Sequence, residues 1–204
     1  MTVDFPDEYL TIKEKVRFKT KVQGSVFIAT ALPVDSAQSV EEWIGKTSAE
    51  FFDATHNCFA ARIRQAQGET LKFSDAGEPR GTAGKPILSA IESENLHNVL
   101  VVVTRYFGGV KLGTGGLARA YRHAAHGALE SAEKIKKLIY AEIRVTYPLT
   151  MTGKVSQVFA KFGVTVADRG FEKEAMARIL VRSGLLNQVK KALVDATHGQ
   201  VKFE

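Results

Sequence analysis

The chain has 204 residues, 45% of them hydrophobic, with a formal net charge of +6 and a pI near 9.4. That length and apolar content allow a buried core in one or two domains. No window approaches eighteen uninterrupted apolar residues, and the single cysteine, Cys58, excludes an intramolecular disulfide and reads as a small buried hydrophobe in a strand. The basic balance favours an anionic partner such as nucleic acid or phosphate, but it is mild. Residues 138–204 carry ten Lys and Arg against six Asp and Glu, and residues 1–137 carry 18 against 16, so binding must come from local arrangement.

In chain order, Met1 to Leu10 places Asp4, Asp7 and Glu8 where a signal peptide would have cations and an apolar run, so a soluble, cytoplasmic protein is expected. From Thr11 to Val22 the sequence alternates, with Lys13, Lys15, Arg17, Lys19 and Lys21 at odd positions and Ile12, Val16, Phe18 and Val22 among the even ones. Period two predicts a strand with an apolar face and a row of five cations on the other. Such a row either guards a sheet edge against stray pairing or forms a secondary basic face for phosphates. Gly24 permits a turn into a second strand, Ser25 to Ala31, which Pro33 ends.

Ser39 followed by Glu42 has the capping-box pattern, and Val40, Trp43, Ile44 and Phe51 recur at helical spacing, which predicts a helix from about Ser39 to Ala54. Asn57–Arg64 and Thr70–Phe73 read as two strands joined through Gly68. A helix is expected from Gly84 to Asn95, with Pro86 tolerated in its first turn. The strand from Leu96 to Phe107 is apolar on both faces at its centre and so belongs inside a sheet. A long alanine-rich helix is expected from Gly115 to Lys137. Beyond it, a strand at Leu138–Tyr147, a short helix around Val155–Phe162, paired strands at 163–171 and 175–182, a helix at 185–196 and a strand at 200–203 give the order β-α-β-β-α-β. That order is the ferredoxin-like signature, so the predicted class is α+β with a first domain over 1–137 and a second over 138–204.

The stretch from Ser74 to Tyr121 holds close to half of the chain's 17 glycines. Two familiar phosphate motifs fail there. Gly84-Lys85 has Pro79 where a P-loop needs glycine and Pro86 where it needs Ser or Thr. Gly113-Thr114-Gly115-Gly116-Leu117-Ala118 fits a dinucleotide fingerprint locally, but no second strand ending in an acid follows at the required distance. The underlying physics remains: a glycine-rich helix start offers unpaired amides and the positive end of a dipole to an anion. Two such starts carry cations. Gly84 lies beside Arg80 and Lys85, while Gly115 and Gly116 lie among Arg105, Lys111 and Arg119. These are the candidate nucleic-acid or anion-binding residues. The bland alternative assigns the glycines to tight packing and pairs the cations with Asp75, Glu78 and Glu92. A sharper rival makes Glu78 or Asp75 a general base acting on a phosphorylated small molecule. His123 and His126 share a helix face, but Arg119 and Arg122 would repel a metal, and neither a metal nor a cofactor is expected.

The strings SDAGEPRGTAGKP (74–86) and TRYFGGVKLG (104–113), followed by Gly115-Gly116-Leu117, closely resemble the signature of the IMPACT (UPF0029) family. The likeness runs over roughly residues 10 to 130, and the remainder looks like the small domain that bacterial members append. It implies a domain similar to ribosomal protein S5 domain 2 followed by a ferredoxin-like one, together similar to domains IV and V of elongation factor G. Eukaryotic relatives act in translational control, competing for an activator of an initiation-factor kinase, with an additional N-terminal domain that this sequence lacks. The expectation for the shared part is a non-enzymatic, translation-linked regulator that binds RNA or ribosomes. A protein-binding adaptor in a stress response is a further alternative.

Overall fold

Val99 to Val103 is the most continuously apolar run in the chain, and it lies at the centre of the largest sheet. The computed structural model of the protein describes residues 7–204 apart from 67 and 172, so of the three N-terminal acids Asp4 lies outside the described residues. The chain divides into two compact units: Tyr9–Lys137, and Leu138–Glu204 together with the segment ending at Glu8. In order, the first unit holds β1 (Glu8–Ile12), β2 (Val16–Val22), β3 (Ser25–Pro33), α1 (Ala37–Glu50), β4 (His56–Gln65) and β5 (Gly68–Ser74). It continues with α2 (Gly84–Ser93), β6 (Val99–Tyr106), α3 (Gly113–Glu130) and β7 (Lys134–Leu138).

Its five-stranded sheet has the order β2-β3-β6-β4-β5, and every neighbouring pair is antiparallel. Strand alternation sends Phe27, Ala29, Ala31, Cys58, Ala60, Val101 and Val103 to one face, where they pack with Ile87 and Ile91 of α2 and Leu117, Tyr121 and Ala124 of α3. Leu32, Ala61, Leu100 and Val102 point the other way, against Val40, Trp43 and Ile44 of α1. Each such large apolar side chain contributes roughly 1.5–3 kcal/mol when fully buried. The small residues of α3 let it lie close to the sheet: a Cβ on Gly127 would come within 2.6 Å of the Phe18 ring.

The direction of the strands positions the loops. β5 and β6 are each antiparallel to β4, which lies between them, so they run the same way. Helices α2 and α3, which follow them, therefore start at the same end of the sheet. The β2–β3 turn at Gln23–Gly24 also reaches that end. There a Cβ on Gly108 would fall 1.9 Å from the carbonyl carbon of Gly24, so the two backbones meet where only glycine fits.

Three expectations are corrected. The strand predicted over 11–22 breaks after Ile12: β1 pairs with β7 in a separate two-stranded sheet, and β2 is an edge of the large one. The helix expected to reach Lys137 stops at Glu130, where Ser131 Oγ donates to the Gly127 carbonyl at 2.7 Å, and KIKKL becomes β7. The first helix is capped by Ser36, whose hydroxyl accepts from the Ser39 amide at 3.1 Å while Ser39 Oγ accepts from Ser36. Ser39 is thus the third residue of the helix, the partner that closes the capping box rather than the cap itself.

The second unit runs β8 (Tyr140–Tyr147), α4 (Thr152–Phe162), β9 (Thr165–Phe171), β10 (Ala175–Arg182), α5 (Leu186–Ala196) and β11 (Lys202–Phe203), the β-α-β-β-α-β order predicted. Its sheet has the order β11-β8-β10-β9, and Val145, Tyr147, Ala177, Ile179 and Val181 bury one face against Val155, Phe159, Val189 and Leu193. Both units are mixtures of helix and antiparallel sheet, an α+β chain. Among the described residues no helix is long and apolar enough to cross a membrane.

Candidate functional site

The first glycine-rich loop, residues 75–83, is folded around two carboxylates. Asp75 Oδ1 accepts from the amides of Ala83 and Gly84, both at 2.9 Å, and Oδ2 accepts from Gly81 at 2.7 Å. The start of α2 is therefore occupied by the chain's own anion. Burial pushes the Asp75 carboxyl up, but those three amides, aided by the charge of Lys85, outweigh it and hold the group below the usual carboxylate range. Gly84 is required for packing: a Cβ there would lie 2.9–3.0 Å from the backbone of Ser74.

Glu78, the second carboxylate, points inward and is buried. Its Oε1 accepts from Arg105 Nη1 and from the Tyr121 hydroxyl, both at 2.7 Å, and lies 4.0 Å from His56 Nε2. Arg105 also reaches Ser25 Oγ at 3.3 Å, while its Nε has no hydrogen-bond partner among the described residues. The register explains the meeting, since Phe27, Arg105 and His56 sit side by side on β3, β6 and β4. Below them the Cys58 thiol lies 2.9 Å from the Asp75 carbonyl oxygen and 3.4 Å from the Tyr121 hydroxyl. Burial pushes this thiol up to about 12 and raises the Tyr121 phenol as well.

The second loop, residues 107–112, is built differently. Among the described residues no side chain caps the start of α3, and Gly113, Thr114 and Gly115 are exposed. Lys111 precedes this turn, and Arg119 folds back along it, its Nη1 3.4 Å from where a Gly115 Cβ would stand. The amides of the first turn thus face solvent beside two cations.

The structure distributes the predicted site residues unevenly. Arg80, Lys85, Lys111 and Arg119 are exposed and make no ion pair among the described residues. Gly115 and Gly116 open the uncapped helix, whereas Gly84 is buried under Asp75. Arg105 is buried and its charge is committed to Glu78, the pairing that the bland alternative anticipated for that carboxylate. In the basic row, Lys13 pairs with Glu133 at 2.8 Å, and Lys15 and Arg17 share Glu50. Lys19 and Lys21 are exposed on the edge strand with no ion pair among the described residues. Sequence reasoning missed Ser25, His56 and Tyr121 as members of the polar network. Tyr121 lies on the buried face of α3 with Leu117, Ala124 and Ala128, and the signal that could have found its role was a hydroxyl on an apolar face needing a partner. His123 packs edge-on against Phe18 with centroids 6.0 Å apart, and His126 contacts Glu94 at 3.1 Å.

Comparison with known proteins bears on this same stretch. The Impact N-terminal domain family matches residues 23–129, which include the five-stranded sheet from β3 onward, both loops and nearly all of α3. The chain belongs to the IMPACT family. An IMPACT family member of Thermus thermophilus is 38% identical over 185 residues, 90% of this chain and 99% of its own. The IMPACT family member YigZ of Escherichia coli is 26% identical over 184 residues, 90% of each chain. The human Protein IMPACT aligns over 91 residues only, 33% identical, 44% of this chain and 28% of its own length. A solved structure described as a hypothetical protein superposes with a TM-score of 0.74 over 98% of this chain and 97% of its own, at 24% identity, which speaks to the fold alone.

Proposed function

We propose that this IMPACT family member is a non-enzymatic, translation-linked regulator that binds RNA or ribosomes at the loop end of its first unit. The observation that carries the reading is the uncapped start of α3, with exposed amides at Gly113–Gly115 flanked by Lys111 and Arg119, at the sheet end that also bears Arg80 and Lys85. Backbone donors and unpaired cations at one place suit phosphate oxygens, with arginine offering a fork and lysine a point charge. The shared family domain coincides with this unit, and the eukaryotic role in translational control motivates the link to translation. We read the first unit as similar to ribosomal protein S5 domain 2 and the second, on its sheet order β11-β8-β10-β9, as ferredoxin-like. The enzyme reading has less in its favour, because Asp75 spends both oxygens on backbone amides and Glu78 is tied to Arg105 and Tyr121.

Retention of RNA as salt rises tests the proposal. Four phosphate contacts on single-stranded RNA give a log–log slope of about 3, and Lys111→Ala with Arg119→Ala should roughly halve it. Absence of RNA binding at low salt, or a slope indifferent to those substitutions, would sink the idea.

A further inference from the structure

Phe107 forms the outer end of a stack that begins in the core. Tyr121 lies edge-on to Phe27 with centroids 5.2 Å apart at 88°. The Arg105 guanidinium carbon lies 5.6 Å from the Phe27 centroid and 5.4 Å from that of Phe107. The three inner members are buried, and Arg105 is clamped by Glu78 and Ser25, yet Phe107 is 48% exposed. Its backbone N–H donates to Thr55 Oγ1 at 3.0 Å, and the next amide, Gly108, donates to the same Ser25 Oγ that Arg105 reaches, at 3.2 Å. The ring is therefore fixed at its root and along its Arg105 side and open elsewhere. Val110, 50% exposed, and Lys111 lie in the same loop.

A single exposed apolar side chain is ordinary on a protein surface. A phenyl ring held in place by a buried arginine, in a loop beside unpaired cations, has the parts of a stacking platform: a π face whose ordering cost is already met, and charge for the adjoining phosphate. We infer that Phe107 stacks an unpaired base, so that the RNA taken by this loop is single-stranded. Paired bases are engaged with their neighbours in a helix and offer no free face, whereas every unpaired base has one. The inference rests on the RNA reading of the loop and adds which RNA it takes.

Fluorescence anisotropy of the full chain with a labelled oligouridylate and with a hairpin duplex of equal charge tests it. The single strand should bind more tightly. Phe107→Ala should weaken single-strand binding about tenfold, the scale of one lost base–aromatic stack, while leaving the salt slope and the duplex affinity unchanged. Phe107→Trp should retain affinity, with its emission quenched by the oligonucleotide over the Trp43 background, which supplies a readout even where the alanine variant folds poorly. Phe171→Ala, which removes an even more exposed ring from the second unit, should change nothing. Equal affinity for duplex and single strand, no effect of Phe107→Ala, or an equal loss in Phe171→Ala overturns the stacking role while salt-dependent binding leaves the electrostatic reading standing. No binding of either RNA at low salt overturns both.

Discussion

The two glycine-rich loops look alike in sequence and are opposites in structure. Each puts glycines and cations ahead of a helix, but the first contains Asp75 and Glu78, and those acids turn inward to occupy the α2 start and to neutralise Arg105. The second contains no acid between Phe107 and Arg119, so its helix start is left to solvent. One intervening carboxylate decides whether a glycine-rich helix start is internal scaffolding or an open anion-facing surface. The closed loop also supports the open one, since Glu78 holds the arginine against which Phe107 rests.

Breaking the closed loop should have the largest effect. Glu78→Ala leaves the Arg105 charge buried without its partner, a loss of about 3–5 kcal/mol. Urea denaturation of that variant, beside Glu78→Leu combined with Arg105→Leu, measures it; the double variant should recover part of the loss, because apolar replacements need no compensation. Asp75→Ala comes next, at about 2 kcal/mol, since three amides lose their acceptor. Its pH dependence has a definite sign. The folded carboxyl lies below its unfolded value of about 3.9, so the stabilisation is complete above that value and fades as pH falls through the lower folded one. The gap between the parent chain and Asp75→Asn, followed by chemical denaturation from pH 7 to pH 2, should therefore shrink only below about pH 4. A widening gap on acidification would contradict the geometry.

The last comparison sets the glycines themselves against each other. Gly84→Ala drives a methyl into the Ser74 backbone and should cost about 1–3 kcal/mol. Gly115→Ala meets only the far end of Arg119, at 3.4 Å, and should stabilise by about 0.5–1 kcal/mol through helix propensity and a stiffer unfolded chain. Melting temperatures moving the same way in both variants would erase the distinction between the loops.

Much of this was legible in the sequence where the signal is local. The apolar run at 99–103 announced a central strand, and the strand–helix order after residue 137 announced the second unit's topology. Hydrophobic period and turn chemistry act within a few residues and leave a pattern that can be read. What escaped was set by partners distant in sequence. Lys13 leaves the strand row because its backbone bonds Glu133, 120 residues away. KIKKL is a strand because β1 is beside it, although its position after an alanine-rich helix argued for more helix. Arg105 reads as one more surface cation until the register sets it between Phe27 and His56 beneath Glu78. Charge in a sequence tells that a side chain must be compensated, and only the fold tells whether by water or by another residue.

The buried thiol of Cys58 has a practical consequence. It is the chain's only cysteine, and it sits beneath the first loop with its Sγ on the Asp75 carbonyl oxygen. Alkylation needs the thiolate and access to it, so the intact protein should be nearly inert to such reagents, and each labelling event should mark a moment when that loop has let go. The rate of mass gain under a thiol reagent then serves as a stopwatch for loop opening, already installed in the molecule and readable without altering a residue.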